Sequence, residues 1–232
     1  VLQREIATIE ALGVTIHLNH PVDAAEWDRL RRDYTAIFIA VGAHQSQRLG
    51  IEGQDLDGVL SGIGFLRDVS CANVKRETWN MERTVVLGGG NVAIDSARTA
   101  RRLGAPEVTI LYRRSKAEMP ANSWEISEAE EEGIRFHYLA APVRIVGQEG
   151  RVTALECIRM ELGQPDADGR RRPIPIPGAA FILPCDTVIA AVGQSVAGGF
   201  AGLDTSSGVF QVDPLTLQPG LPGVFAGGDA VS

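Results

Sequence analysis

The stretch Val85-Val86-Leu87-Gly88-Gly89-Gly90-Asn91-Val92-Ala93-Ile94-Asp95 limits the possible folds more than any other part of the chain. An apolar, β-branched run enters a glycine cluster and leaves as an alanine- and arginine-rich segment that ends at Gly104, with Pro106 beyond it. That is the signature of a strand turning tightly into a helix, and Glu107-Val108-Thr109-Ile110-Leu111-Tyr112 supplies a second strand to complete a βαβ unit. Gly88 permits the turn, Gly90 lets the backbone approach a pyrophosphate, and Ala93 stands where close helix–strand packing admits only Gly or Ala. The unbonded N–H groups at the start of the helix, aided by its dipole, then face the anion.

At the end of the second strand, a site built for NAD places an acidic residue against the ribose hydroxyls. Here the chain has Arg113 and Arg114, and a pair of guanidinium groups suits a 2′-phosphate. NADP(H) is therefore favoured over NAD(H), although two merely solvated arginines at a strand end would leave that preference open.

Composition narrows the class. The formal net charge of −7 argues against a nucleic-acid partner. No apolar run reaches the roughly 20 residues that span a bilayer, which excludes a membrane helix. Cys71, Cys157 and Cys185 are widely spaced with no C-x-x-C, so neither a disulfide framework nor an iron–sulfur or zinc site is indicated, and a reducing cytoplasm fits. His17, His20, His44 and His137 show no metal-ligand spacing.

The chain reads as three parts: residues 1–82, 83–195 and 196–232. In the first, Ile6, Ile9 and Leu12 recur at helical spacing, Val14 to Leu18 reads as a strand, and a short helix covers Ala24 to Arg32. Thr35 to Gly42 reads as a strand buried on both faces, Leu49 to Leu60 as a Gly- and Asp-rich linker, and Ile63 to Ser70 as a helix. In the second, Asn122 and Glu125 form a capping-box-like start to an acidic helix whose run Glu128 to Glu132 reads as a solvated face. Ile134 to Leu139 then reads as a strand. Val143 to Val146, Val152 to Leu162 and Ala180 to Leu183 form an antiparallel meander, interrupted by a mobile, proline-rich loop over Gly163 to Gly178. Val188 to Gly193 returns as a buried strand. The third part ends in Gly223 to Ala230, which brings Gly228 and Asp229 to the carboxyl edge of a sheet. The chain starts and stops as though within a larger domain.

Ala36 to His44, the glycine turn with Asn91 to Arg98, Tyr112-Arg113-Arg114, Glu118-Met119-Pro120 and Gly223 to Ala230 occur in an order that resembles the small (beta) subunit of glutamate synthase and related NADPH-dependent FAD oxidoreductases. The resemblance covers nearly the whole chain. It implies an α/β fold: a doubly wound, Rossmann-like, three-layer ββα domain that binds NAD(P), carrying an antiparallel meander insertion, with partial segments of an FAD domain on either side. It also implies that Gly88, Gly89, Gly90, Asn91 and Val92 hold the pyrophosphate of NADPH and that Arg113 and Arg114 hold its 2′-phosphate. Gly193 and Gln194 then lie on the nicotinamide side, and Gly228 and Asp229 match the motif that meets the FAD ribityl chain. Ala40 to Ala43, including Gly42, match a small-residue turn bordering the flavin domain, where a hinge without ligand contact fits equally well.

In such a family NADPH reduces FAD, and electrons leave through iron–sulfur clusters to the glutamate synthase large subunit or another acceptor. The expected role of residues 83–195 is NADPH binding; residues 1–82 and 196–232 hold only parts of the FAD domain, so poor FAD retention is expected. A noncatalytic NADP(H)-binding module is the alternative. Gly62 to Arg67 offers a second glycine pattern, but it ends in Arg and lacks a preceding strand. Tyr112 and Lys116 offer a Tyr-x-x-x-Lys pair, but on a strand end rather than on one helical face. Neither carries a site.

Overall fold

In the computed structural model the described residues are 2–71, 79–166, 169–196, 203–205 and 207–231. In chain order the elements are α1 (Leu2–Ala11), α2 (Ala24–Asp33), β1 (Ile37–Ile39), β2 (Gln45–Ser46), β3 (Val59–Ser61), α3 (Gly62–Ser70), β4 (Arg83–Leu87) and α4 (Asn91–Arg102). They continue with β5 (Glu107–Tyr112), α5 (Ser123–Glu131), β6 (Arg135–Tyr138), β7 (Ala140–Gln148), β8 (Arg151–Pro165), β9 (Arg171–Pro184), β10 (Thr187–Ala190), β11 (Gln194–Ser195) and β12 (Val224–Ala226). Packing divides the chain into one unit of residues 1–42 and 198–232 and a second of residues 43–197. The first boundary therefore falls at Gly42/Ala43, whereas the sequence reading draws it at 82/83: β3 and α3 pack with the central unit.

The central unit holds a five-stranded, all-parallel sheet in the order β3-β10-β4-β5-β6. From β4 the chain winds outward through β5 to β6, then returns on the other side of β4 as β10. The switch of direction lies between β4 and β10, where open α/β sheets bind ligands. The continuous apolar runs are explained by burial on both faces. On one face, Val86, Val108, Ile110 and Ile189 pack under Ala93, Ile94 and Ala97 of α4 and Ile126 and Ala129 of α5. On the other, Val85, Leu87, Leu111 and Val188 meet Ile145, Val152, Leu155 and Cys157 of the antiparallel β7-β8-β9 meander. The result is three layers: meander, parallel sheet, helices.

Several sequence expectations change. Leu49 to Leu60 is not wholly a linker, since Val59 to Ser61 forms the edge strand β3 beside β10. A strand therefore does precede Gly62. Its glycines serve packing: a Cβ at Gly62 would meet Val92, Ala191 and Ser96 at 3.1–3.3 Å, and Gly64 N donates to the capping Ser61 Oγ at 3.2 Å. The expected loop over Gly163 to Gly178 is largely strand, because β8 runs to Pro165 and β9 starts at Arg171. β9 is the outer strand of the meander, so Pro173 and Pro175, alternating opposite Leu162 and Met160, turn their N–H-less nitrogens to the unpaired side. Pro177 and Gly178 fall where the register shifts.

The acidic run on α5 is not simply solvated. Glu128 and Glu132 pair with Arg98 at 2.8 and 2.7 Å, Glu132 also pairs with Arg102 at 2.6 Å, and Glu130 pairs with Lys116 at 2.7 Å. The hydrogen bond from Arg98 holds the Glu132 carboxyl below its ordinary range. Asn122 caps α5 without a side-chain bond to its backbone; its Nδ2 donates to Glu125 at 3.1 Å. A full capping box occurs instead at Ser115 and Glu118.

In the other unit, β1 and β12 form a parallel pair with Ile39 opposite Ala226. The expected long strand over Thr35 to Gly42 is only Ile37–Ile39, and Phe38 is exposed rather than buried. Val14 to Leu18 is not a strand; it pairs with no other segment among the described residues, and Val14, Ile16 and Leu18 are exposed.

Candidate dinucleotide-binding site

The glycine turn sits at the switch point. Gly88 has φ +141°, its N–H donates to Leu111 O at 3.2 Å, and a Cβ there would lie 2.2 Å from Ala191 O at the end of β10. Glycine is required at this position to let the two strand ends meet. At Gly89 a Cβ would lie 2.5 Å from the Tyr112 ring, and its carbonyl accepts from Ala121 N at 3.2 Å, so this residue packs against the protein. Gly90 differs from both. It is the N-cap of α4, with φ −92° and ψ 179°, and nothing lies nearer to a Cβ there than Pro120 Cγ at 3.9 Å. No side chain caps α4, and among the described residues the N–H groups of Asn91 and Val92 have no acceptor. Asn91 Oδ1 accepts from Asn122 N at 3.3 Å, tying the helix start to α5.

A cleft of about 890 Å³ opens along the carboxyl ends of the parallel strands. Gly88 to Val92, Arg113, Arg114, Gly193 and Gln194 all line it. Gly193, at φ +142°, brings its backbone beside Gln47 and accepts from Gln47 N at 3.0 Å. Gln194 Nε2 donates to Ala43 O at 2.9 Å, which fixes that end of the cleft. Turn, arginines and return strand are thus brought together within one unit.

The arginine pair divides into two environments. Arg113 is exposed. The side chain of Arg114 is only 6% exposed; it pairs through Nη2 with Asp166 Oδ2 at 2.5 Å and donates from Nε to Arg171 O at 2.8 Å. Beside it, Glu118 is buried, accepts from Ser115 N at 3.2 Å and from the Ser115 hydroxyl, and pairs with Arg171 at 2.5 Å. The Ser115 hydrogen bonds and the Arg171 charge hold the Glu118 carboxyl below its ordinary range. Sequence reasoning did not single out Asp166, Arg171 or Glu118 as partners here; the run Arg170-Arg171-Arg172 was the available signal.

Tyr112 OH donates to Glu118 O at 2.8 Å, and Lys116 Nζ bonds Glu130, so these two side chains do not act as a pair. Burial pushes the Cys157 and Cys185 thiols up to about 12, which keeps them protonated. His137 stacks on Phe181 with centroids 5.0 Å apart, and burial lowers its pKa. No group of three or more His, Cys, Asp or Glu is placed to hold a metal among the described residues, and no described helix is long and apolar enough to cross a membrane.

In the other unit, Ala40 follows β1, and Gly228 and Asp229 follow β12. Gly227 N donates to Ile39 O at 3.1 Å, so these residues share the carboxyl edge of the strand pair. Ala40, Gly228 and Asp229 are exposed, while Gly42 has φ +67°.

The chain is 47% identical over its whole length to the NADP(+)-dependent formate dehydrogenase subunit beta of Moorella thermoacetica, covering 33% of that protein. It is 42% identical to the NADPH-Fe(3+) oxidoreductase subunit beta of Geobacter sulfurreducens, with 99% of the chain and 38% of the relative covered. It is 38% identical to the glutamate synthase [NADPH] small chain of Escherichia coli, with 99% of the chain and 52% of the relative covered. It thus spans between a third and about half of these curated relatives. Among solved structures, Mycobacterium tuberculosis FprA in complex with NADPH matches with a TM-score of 0.72 at 22% identity, over 88% of this chain and 60% of that one. Lactococcus lactis thioredoxin reductase matches with a TM-score of 0.63 at 21% identity, over 84% of this chain and 57% of that one. Both share the fold. The model of the pyridine nucleotide-disulphide oxidoreductases matches residues 2–232, and the chain belongs to that family.

Proposed function

We propose that residues 43–197 bind NADPH as the nicotinamide-nucleotide module of a flavoprotein oxidoreductase. The observation that carries this reading is the open backbone at Gly90: the uncapped N–H groups of Asn91 and Val92 stand beside it on a cleft reaching Arg113. A pyrophosphate there accepts from those N–H groups, and the dipole of α4 adds to the attraction. The 2′-phosphate lies at the Arg113–Arg114 end, and the nicotinamide lies beside Gly193 and Gln194. The names of all three curated relatives above include NADP(+) or NADPH, which supports the choice of the phosphorylated coenzyme.

The chain's residues bind and orient. Hydride chemistry belongs to the cofactors, so no side-chain base is called for. Residues 1–42 and 203–231 are read as parts of the FAD-binding domain, with Gly228 and Asp229 at the ribityl chain and Ala40 to Gly42 bordering it. In the whole protein the function is reduction of FAD by NADPH, with electrons passed through iron–sulfur clusters to a glutamate synthase large subunit or another acceptor.

The test is calorimetric titration of the chain with NADPH and then NADH, alongside Arg113→Ala. NADPH is expected to bind more tightly, and the variant is expected to lose much of that preference. Equal affinity of the unaltered chain for both nucleotides overturns the 2′-phosphate assignment.

A further inference from the structure

A second cleft of about 850 Å³ lies against the first. The two share Arg113 and Arg114 as wall residues, and the second is closed by the β8–β9 hairpin through Gln164, Asp166, Arg172 and Ile174. The hairpin is fastened over the end of β5 by two ion pairs, Arg114 with Asp166 and Arg171 with Glu118, both at 2.5 Å, and by the bond from Arg114 Nε to Arg171 O. Asp166 is itself fixed to the hairpin, since its N–H donates to Arg170 O at 2.8 Å and its Oδ1 accepts from Arg170 N at 3.1 Å.

This arrangement sorts the cations by role. Arg114 is buried, and Asp166 answers its charge. Strand alternation sends Arg171 toward Glu118 and its neighbour Arg172 to the opposite side. Arg113 and Arg172 remain as exposed guanidinium groups that line the same cleft, and neither makes an ion pair among the described residues. Two cations with no ion-pair partner among the described residues, on a cleft that joins the dinucleotide cleft at Arg113 and Arg114, match the charge of a phosphate monoester, and guanidinium forks match its oxygens.

We propose that Arg172, carried in by the meander hairpin, is a specificity-determining residue for the 2′-phosphate alongside Arg113, and that Arg114 is a positioning residue that holds the hairpin in place. This rests on the reading of the glycine turn as the dinucleotide site. It makes the meander a working part of coenzyme selection as well as a cover for the sheet.

The experiment is calorimetric titration of the full chain with NADPH and with NADH, for the unaltered protein, Arg172→Ala, Arg172→Lys, Arg113→Ala and Gly90→Ala, with thermal melting of each. Arg172→Ala is expected to weaken NADPH on the order of tenfold, as for loss of a charged hydrogen bond, with NADH affinity and melting temperature unchanged. Arg172→Lys is expected to restore part of the loss, because the charge returns without the fork, and the NADPH response to Arg172→Ala is expected to shrink as salt is raised. An unchanged NADPH-to-NADH ratio in Arg172→Ala, with that ratio lost in Arg113→Ala, overturns the role of Arg172 and leaves the dinucleotide site standing. Unaltered NADPH binding in Gly90→Ala overturns the site, and the inference with it.

Discussion

Gly88 and Gly90 lie two residues apart in one turn, yet the structure gives them different tasks, and alanine at each separates folding from binding. At Gly88 the φ of +141° belongs to a region that residues with a Cβ avoid, at a cost of roughly 1–3 kcal/mol. The new Cβ would also lie 2.2 Å from Ala191 O, a backbone atom held by the end of β10 and unable to swing aside. Relieving that overlap requires moving one strand end, which adds about 1–3 kcal/mol in the manner of an overpacked core. Together Gly88→Ala is expected to lose about 2–6 kcal/mol of a total near 5–15 kcal/mol. At Gly90 the backbone is already extended, with φ −92°, and the nearest atom is 3.9 Å away. Gly90→Ala loses only the N-cap preference for glycine, about 1 kcal/mol or less, and places a methyl group where the pyrophosphate is proposed to approach. Urea unfolding followed by far-ultraviolet circular dichroism, paired with NADPH titration, reads both effects. Comparable stability of the two variants, or NADPH binding unimpaired by Gly90→Ala, refutes the division of labour.

Three further outcomes follow from the packing and the charges. Ile94 is fully buried between α4 and the sheet, so Ile94→Ala is expected to cost about 2–5 kcal/mol in the same urea assay. Leu215→Ala, at a side chain 93% exposed, is expected to stay within about 0.5 kcal/mol of the unaltered chain. Glu118 has a carboxyl pKa depressed by Ser115 and Arg171, so its contribution is fully present above the ordinary value of 4.5 and is lost as pH falls through the lowered one. Glu118→Gln is expected to lower stability by about 1 kcal/mol at neutral pH, discounted because Arg171 is half exposed. Melting curves of the two proteins should converge below pH 4.5, and a constant gap across that range would contradict this account.

The turn and its βαβ frame were legible because their signals are local: strand, glycines, helix and second strand follow one another within β4, α4 and β5. The longer meander strands were legible in part, because alternation survives where prolines do not interrupt. β9 was hidden because proline normally argues against a strand, and only its position at the outer edge makes Pro173 and Pro175 acceptable. The three residues of β3 were masked by glycines and aspartates on their amino side. Val14 to Leu18 carries a strand-like pattern, but pattern alone supplies no partner strand. At the site, the adjacency of Arg113 and Arg114 suggested a matched pair. Asp166, which gives Arg114 its separate role, lies 52 residues further on, and Arg171 lies 57. Glu132 meets Arg98 across 34 residues, so its neutralised charge was equally invisible in the local run. Contacts of that range are set by the sheet order, which composition does not encode.

The prolines of β9 also govern how separate molecules meet. An outer strand normally offers a row of hydrogen-bonding groups on which a foreign chain can crystallise into an extended ladder. With Pro173 and Pro175 placed opposite Leu162 and Met160, that row lacks two donors in succession along its outward flank. The long arm that lines the second cleft is thereby blunted against stacking with its own copies in a crowded solution.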